Sequence, residues 1–353
     1  MAERTCVGAA KAAARFVRVF AFVLLLCGGM LPGCRQSNSG AGETVVYTSV
    51  DQVYAEEVCM RFAEKTGIVV RPVFDTEASK TTGLFRRLIA ERENPRADVF
   101  WNGEICRTLQ LVNEGLAADL SPQVPKDFPA RWVDPNGKWV AFSLRARVIV
   151  YNTEKVAAED VPRTLKELTD PKWRGKVAIA NPLFGTTATH MAALRVAMGK
   201  EKALDWLRNL KANDCRIVEG NSTARDIVAR GDLPLALTDT DDVYAGIANG
   251  MPIDFVLPDQ DGPGTLVIPN SAMLIAGGPS PENARKFLGY LLDPEVEAYL
   301  AASRARQLPC RDNIERPDDL AKFAGVKPMD VDYAQVAECI QDAARDAEKI
   351  LNE

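Results

Sequence analysis

Histidine is almost absent from this chain, since His190 is the single one among 353 residues. No CxxC pair and no Cys/His spacing typical of a metal site occurs either, which excludes a zinc site built from thiolates or imidazoles. The formal net charge is −5, so the chain lacks the basic excess of a general nucleic-acid binder. No period of 20–50 residues recurs, which excludes a solenoid or a propeller.

Long apolar runs are also scarce, and the one that stands out is VFAFVLLL at 19–26. It is too short to span a bilayer. Four basic residues precede it, and small residues lead from it to Cys34 at the end of LPGC. This order predicts an export signal over 1–33. LPGC is similar to a bacterial lipoprotein box, so we expect Cys34 to be acylated. A plain signal peptide cut near the same point is the alternative.

The remainder has the composition of a globular protein, because 47% of all residues are hydrophobic and 26% are charged. Its length suggests two domains. Residues 34–43 are small and polar and suit a flexible tether. Without 1–33 the chain has 39 basic and 47 acidic residues, a net charge of −8. We therefore expect an acidic, soluble body behind the tether.

Five cysteines follow Cys34, namely Cys59, Cys106, Cys215, Cys310 and Cys339. An exported protein can form disulfides, but an odd number leaves at least one cysteine free or paired between chains. We expect Cys310 to pair with Cys339.

Strand and helix patterns alternate along the body. Strands are predicted at 43–49, 68–74, 97–101, 139–150, 176–180, 215–219, 233–237, 253–257 and 266–276. Helices are predicted at 52–65, 83–92, 105–114, 185–199, 202–212, 224–231, 242–250, 281–292, 296–302 and 333–351. This alternation indicates an α/β protein with largely parallel sheets. Ligands of such sheets bind at the carboxyl ends of strands, which selects the loops at 49–51, 101–104, 181–187, 219–222 and 238–242.

At these loops the chain resembles a known family. The matching stretches are VVYTSVDQ (45–52), EKTGIVVRPVF with PRADVFWN, LRARVIVYNT (144–153) followed by LTDPKWRGKVAIANP (168–182), and GNSTARDIVARGDLPLALTD (220–239). They resemble the ferric-iron-binding branch of the bacterial extracellular solute-binding proteins of ABC importers.

The resemblance implies the type II periplasmic binding fold. That fold has two lobes, each a central β-sheet flanked by helices, joined by a two-strand hinge, here near 143–150 and 265–273. Lobe one would comprise 44–142 and 274–353, and lobe two 143–273. The ligand would lie between the lobes and pass to an ABC permease and its ATPase. We therefore expect a monomeric periplasmic or extracytoplasmic protein that is not an enzyme, requires no cofactor, binds no nucleic acid and touches the membrane only through its lipid.

The chain departs from the family at the metal ligands. Iron-binding members carry two adjacent tyrosines after the strand that is LPLAL here, whereas this chain has Asp241 and Asp242. Where some members place a histidine in the first loop, this chain has Asp51. Tyr54 and Tyr244 lie nearby in sequence but not at the matching positions.

Three carboxylates within four residues repel one another unless a positive group offsets them. Asp239, Asp241 and Asp242 form such a set, which suits a hard cation such as Ca²⁺, Mg²⁺, Mn²⁺ or Fe³⁺, or else an ammonium or guanidinium group. Capping of the following helix is the structural alternative. The candidate metal ligands are Asp51, Glu104, Asp239, Asp241 and Asp242.

Small and hydroxyl residues at a helix N-terminus offer N–H and O–H groups to an anion, and 185–187 has this pattern. In the family this loop holds an anion together with an asparagine that matches Asn221. Arg145 or Arg147 could pair with an anion or with the acids, because alternation places both on one face of a strand; a structural salt bridge is the alternative. The candidate ligand-binding residues are Ser49, Asp51, Thr82, Asn102, Arg145, Gly185, Thr186, Thr187, Asn221 and Ser222.

Two transport functions stay open from the residues. The cargo is ferric iron or another hard cation, with or without an anion, or it is a small phosphorylated or aminated organic compound. Paired acids could also perform acid–base catalysis, but no nucleophile elbow or P-loop motif accompanies them. We expect His190, alone within a helix, to pack and not to bind the ligand.

Overall fold

The computed structural model of the protein describes residues 42–75 and 82–353. The predicted export signal, Cys34 and nearly all of the tether lie outside these residues. No helix in the described ranges combines the length and the apolar character needed to cross a membrane.

Ten strands form within the described residues. They are β1 Glu43–Thr48, β2 Val69–Phe74, β3 Val99–Asn102, β4 Val140–Asn152, β5 Val177–Ala180, β6 Arg216–Val218, β7 Leu235–Asp239, β8 Ile253–Val256, β9 Val267–Leu274 and β10 Leu308–Pro309. Nine of them coincide with predicted strands. The two-residue strand β10 was not predicted, because two residues show no periodicity.

Ten α-helices form within the same part of the chain. They are α1 Gln52–Thr66, α2 Thr82–Ala90, α3 Ile105–Asn113, α4 Gly185–Met198, α5 Lys200–Ala212, α6 Asn221–Ala229, α7 Thr240–Ala248, α8 Pro281–Leu291, α9 Pro294–Ala302 and α10 Tyr333–Asn352. Each coincides with a predicted helix. The ends of β7, α6 and α7 differ from the prediction by two or three residues, and this places Asn221 and Asp239 at the ends of elements.

The strands follow the order β2-β1-β3-β9-β4-β7-β5-β6, and β8 and β10 also pair with β4. β1 is parallel to β2 and β3, and β5 is parallel to β6 and β7. We call β2-β1-β3-β9 with the first half of β4 the first sheet region, and the second half of β4 with β7-β5-β6 the second sheet region. The α/β architecture expected from the alternating pattern is confirmed, but the expectation of largely parallel sheets is wrong. Strand β4 pairs antiparallel with β7, β8, β9 and β10, and β9 pairs antiparallel with β3, because the long strand β4 and its partner β9 run through the middle of the sheet.

Strand β4 belongs to both sheet regions. Its residues 140–146 pair with β9 and its residues 147–151 pair with β7, both antiparallel. All 13 of its residues are buried. Arg145 and Arg147 stand two residues apart at this transition, and the period of two places both on one face. The alternation predicted from the sequence thus brings two guanidinium groups to the junction of the regions.

Aromatic side chains fill the core beside the first sheet region. Phe62 of α1 meets Phe287 of α8 edge-on at 5.2 Å, and Trp101 meets Phe142 at 5.5 Å between ring centroids. On the other side of the molecule, α10 packs along α4 and contacts α3 and α5. Its apolar stripe, which includes Val336 and Ile340, is buried there.

The predicted disulfide is wrong, because all five cysteines of the described residues are free. Cys310 is buried in the core that contains Phe62. Cys339 lies on α10, and its thiol is 3.7 Å from the carbonyl oxygen of Ala192 on α4. The two cysteines contribute to different cores, so the fold holds them apart.

Candidate functional site

A pocket opens at the carboxyl ends of β5 and β7, where the strand-end rule predicts a ligand. Its wall consists of Asp51, Arg145, Ala180, Asn181, Phe184, Gly185, Thr186, Thr187, Glu219, Gly220, Asn221, Asp239 and Asp242. Eight of these are predicted site residues. The fold therefore gathers into one wall side chains that are up to 191 residues apart in sequence.

Arg147 organises the floor of this pocket. Its Nη1 donates to Asp239 Oδ1 at 2.6 Å, to Asn221 Oδ1 at 3.0 Å and to Thr186 Oγ1 at 3.2 Å, while Nη2 donates to Thr187 Oγ1 at 3.3 Å. Thr186 in turn donates to Asp239 Oδ2 at 2.6 Å, and Asn221 Nδ2 donates to the same oxygen at 3.0 Å. One buried guanidinium thus joins β4, β7, α4 and α6.

Arg145 forms a second buried ion pair. Its Nη1 lies 2.7 Å from Asp241 Oδ2 and 3.6 Å from Asp239 Oδ2. Its Nη2 donates to the carbonyl oxygen of Gly103, which follows β3 in the first sheet region. Arg145 therefore links the acids that follow β7 to the loop that follows β3.

Burial and the neighbouring charges shift the pKa values of Asp239, Asp241 and Arg145. Burial tends to raise the pKa of Asp239, but Arg147 and Arg145 outweigh it, so the pKa is lowered. Burial raises the pKa of Asp241, and Arg145 offsets only part of that effect. Burial tends to lower the pKa of Arg145, but the charges of Asp241 and Asp239 outweigh burial, so the pKa is raised. Asp239 is therefore held ionised, whereas Asp241 is the acid of the pair that takes up a proton more easily.

The predicted set of clustered carboxylates is present. One oxygen from each of Asp239, Asp241 and Asp242 lies within 4.8 Å of the others. We call these three residues the acidic cluster. Thr238 Oγ1 donates to Asp242 Oδ2 at 3.3 Å. Asp51, which precedes α1, lines the same pocket. Arg147 and Arg145 already bind Asp239 and Asp241, so the structure contains the pairing of these arginines with the acids that the sequence left open.

A group of hydroxyl and amide side chains faces the acidic cluster. Thr186 and Thr187 lie in the first turn of α4, and Asn221 is the first residue of α6. Asn221 Nδ2 donates to Thr186 Oγ1 at 2.7 Å. Gly185 begins α4 at φ +53°, a left-handed value that favours glycine. Two helix N-termini, each with a positive dipole end, therefore converge on the same pocket.

Glu104 acts as a structural cap. Its two carboxylate oxygens accept the backbone N–H groups of Cys106 and Arg107, each at 2.7 Å, at the start of α3. Oε2 also accepts from the Thr189 hydroxyl at 3.1 Å, and Asn102 Nδ2 donates to Oε1 at 3.1 Å. Glu104 is not exposed, and the pocket wall does not include it. Its role as a metal ligand stays a prediction that this geometry does not favour.

The other predicted residues lie beneath or beside the wall. Ser49 donates to Asn102 Oδ1 at 2.6 Å and accepts from the backbone N–H of Gly103 at 2.9 Å. Ser49 and Asn102 therefore support the loop in which the carbonyl oxygen of Gly103 accepts a hydrogen bond from Arg145. Thr82 begins the described part of α2 and is buried, and its hydroxyl has no partner within the described residues. Ser222 is half-buried in the first turn of α6.

The two nearby tyrosines, which could substitute for the family's pair, are not part of the pocket wall. Tyr244 donates from its hydroxyl to the carbonyl oxygen of Asp319 at 2.9 Å, so it is engaged elsewhere. Burial, and then the charge of Asp241, raises the pKa of Tyr54 to about 12, which disfavours a phenolate next to the acidic cluster. His190 is fully buried, and burial lowers its pKa to about 3. The histidine therefore packs as a neutral side chain, as we expected.

Sequence reasoning underrated Arg147 and missed Glu219, Asn181 and Phe184. Arg147 was a candidate partner of the acids but not a chosen site residue, although its spacing of two from Arg145 places both side chains on the same face of the strand. The other three stand in loops that follow β5 and β6, which the strand-end rule had marked. The rule locates loops, whereas the side chains that enter the pocket depend on where each strand ends.

The mixed α/β fold provides a polar pocket at the strand ends, where a small ligand can bind. The chain belongs to a family of bacterial extracellular solute-binding proteins, whose model matches residues 108–336. Such proteins are non-enzymatic components of transport systems, so the expectation that the chain is not an enzyme is confirmed.

Relatives with known names point in the same direction. Iron uptake protein A1 of Synechocystis sp. is 29% identical over 353 residues, which cover 94% of this chain and 95% of that protein. The major ferric iron-binding protein of Neisseria meningitidis serogroup B is 26% identical over 304 residues, covering 84% and 89%. Iron-bound HitA from Pseudomonas aeruginosa superposes with a TM-score of 0.77 at 26% identity, over 86% of this chain and 99% of that one. The type II periplasmic binding fold expected from the resemblance is confirmed.

Proposed function

We propose that this chain is the substrate-binding component of an ABC importer and that it captures ferric iron, or another hard cation, together with an anion. The observation that carries the proposal is the acidic cluster, whose oxygens lie within 4.8 Å of one another beside the hydroxyls of Thr186 and Thr187. Carboxylate oxygens suit hard cations, and helix N-termini suit the anion. The names of two relatives, which are iron-binding and iron-uptake proteins, support the same cargo.

The ligand set would differ from the family's tyrosine pair. Asp239 is committed to Arg147 and has no exposed surface, so we assign it to the floor and not to the metal. Asp242 and Asp51 line the pocket and would supply carboxylate oxygens. Asp241 would join them by releasing Arg145, whose positive charge would then stay beside the bound anion. Metal and anion would be bound together, because the charge of each ion offsets that of the other.

Capture would close the two lobes over the ligand. The proposed lobes keep the predicted boundaries, with one amendment. Helix α10 contacts α3 of lobe one but packs more extensively on α4, and also on α5, so we propose that it moves with 143–273 and not with lobe one. Ligand binding would favour the closed state because both lobes then contribute contacts. The loaded protein would deliver its cargo to a permease and its ATPase as a monomer, held at the membrane only by lipid on Cys34.

A second cargo class is favoured by the groups around α4 and α6. Thr186, Thr187 and Asn221 with two helix N-termini also fit the anionic head of a phosphorylated compound, whose amine or hydroxyls the acids would bind. Thr187→Ala would then weaken binding of a phosphate ester. Unchanged binding of every organic compound in the variant would count against this cargo.

The decisive experiment is a thermal-shift panel on chelator-treated protein. The panel contains Fe³⁺ with and without carbonate, Mn²⁺, Ca²⁺, Mg²⁺, polyamines, thiamine and phosphorylated small molecules. A ligand at 100 times its Kd stabilises the fold by about 2.7 kcal/mol, which is a clear shift. Stabilisation by Fe³⁺ with carbonate supports the proposed cargo. Stabilisation by organic compounds alone would overturn it in favour of the second class.

A further inference from the structure

A groove with three lysines lies at the opposite end of the second sheet region from the pocket. Lys155 follows β4, the short 3-10 helix Pro171–Trp173 and Lys176 precede β5, and Asp232 precedes β7. β5 and β7 are parallel, so their amino ends share an edge, and their carboxyl ends with the pocket are at the other. The length of β7 separates the two sites by about 17 Å. We call this feature the lysine groove.

The groove carries an excess of positive charge. Within the described residues, none of its lysines forms an ion pair. The Nζ of Lys172 lies 5.1 Å from the ring centroid of Trp173, and that of Lys176 donates to the carbonyl oxygen of Lys172 at 3.1 Å. The wall has two carboxylates, and one of them, Asp232, is already paired with Arg230 at 3.0 Å. The chain as a whole has a net charge of −5, so this local excess is opposite in sign to the rest of the molecule.

The shape and the floor of the groove fit a ligand. Its volume is about 540 Å³, within the range of small-molecule sites. Trp173 lines it, and the buried indole N–H of this residue finds no acceptor among the described residues. That N–H is enclosed by the protein, so Trp173 contributes apolar surface to the groove and no hydrogen bond to a ligand.

We propose that the lysine groove is a second binding site, for a ligand that carries phosphate groups. Three ammonium groups around one groove match the several charges of such a ligand. The ligand is a free polyanion or the headgroup of an anionic lipid, both of which present the same phosphate oxygens. This site is independent of the proposed cargo, because it shares no residue with the pocket.

The test uses inorganic pyrophosphate in calorimetric titrations, and flotation with phosphatidylglycerol–phosphatidylcholine or pure phosphatidylcholine vesicles. The variant Lys155→Gln/Lys172→Gln/Lys176→Gln removes three exposed charges. The matched control, Lys126→Gln/Lys202→Gln/Lys286→Gln, removes three exposed charges elsewhere. A third variant with arginine at the groove positions retains the charge.

One supporting outcome is that pyrophosphate binding weakens by tenfold or more in the groove variant alone and persists in the arginine variant. This outcome supports the site and a free polyanion as its ligand. Binding of phosphatidylglycerol vesicles alone, lost in the same variant, supports the site and a lipid headgroup. Absence of both, or equal losses in the groove variant and the control, would overturn the proposal. Iron-induced stabilisation is measured in each variant, so failure of this site is distinguishable from failure of the proposed cargo.

Discussion

Arg147 and Asp239 form an ion pair of 2.6 Å in which the side chains are 0% and 1% exposed. Charges this deeply buried are expensive to remove from water, so each depends on its partner. The remaining oxygen of Asp239 accepts from Thr186 and Asn221, which satisfies the carboxylate. The pair therefore holds strand β4 to the two helices that bound the pocket.

Removal of Arg147 is expected to destabilise the fold strongly. Arg147→Ala leaves the Asp239 carboxylate buried without its cation, which costs about 3–5 kcal/mol of unfolding free energy. Urea denaturation measures the loss. The control is Arg174→Ala, which breaks an exposed pair with Asp214 at the same 2.6 Å and is expected to cost at most about 1 kcal/mol. Equal losses in the two variants would show that burial does not decide the strength of the pair.

The variant Asp241→Ala/Asp242→Ala is expected to abolish stabilisation by Fe³⁺. The gain of about 2.7 kcal/mol at 100 times Kd disappears if these carboxylates bind the cation. The ligand-induced shift is the quantity to compare, because loss of Asp241 also leaves Arg145 unpaired. Asp127→Ala/Asp261→Ala, two exposed aspartates elsewhere, removes the same charge and should retain the shift. An unchanged shift in the double variant at the cluster refutes carboxylate ligation.

Asp259 is expected to make stability fall as the pH rises from about 4 to about 6. Burial raises the pKa of Asp259 to about 6 from its ordinary 3.8. The folded protein therefore holds this proton over a pH range in which the unfolded chain has lost it. The resulting contribution to the free energy of unfolding, up to about 3 kcal/mol, is present below that range and is lost as the pH rises through it. Asp259→Asn should remove this slope between pH 4 and pH 7 in urea denaturation.

Asparagine tolerates the left-handed backbone at this position, where φ is +61°. Asp214→Asn is the matched control, because Asp214 also has a positive φ of +55° but is exposed and paired with Arg174. A wild-type slope retained in Asp259→Asn would assign the pH dependence to other groups.

Reducing agents are expected to leave the thermal stability unchanged, because every cysteine of the described residues is free. Cys215 and Cys339 are partly accessible, whereas Cys59, Cys106 and Cys310 are buried. Alkylation of the native protein followed by mass spectrometry should label the first two and spare the other three until denaturant is added. A melting temperature that falls with dithiothreitol would restore the disulfide hypothesis.

The order of strands and helices was predictable because each element has a local sequence pattern of its own. The β-branched run of β1 and the long β-rich run of β4 are typical of buried strands, and the apolar stripe of α10 repeats at the helical period. Element ends were less predictable. The prediction ended β7 at residue 237, but its ladder with β4 continues to Asp239, because Arg147 pairs there.

The sequence by itself determined the composition of the site: acids after one strand, hydroxyls before one helix and two arginines on one face. It could not determine which of these would bind one another. Only the tertiary structure assigned Arg147 to Asp239, Arg145 to Asp241 and Glu104 to a helix cap. The physical reason is that a buried charge must find its partner within a few ångströms, and that distance is set by strands that meet in space from remote parts of the chain.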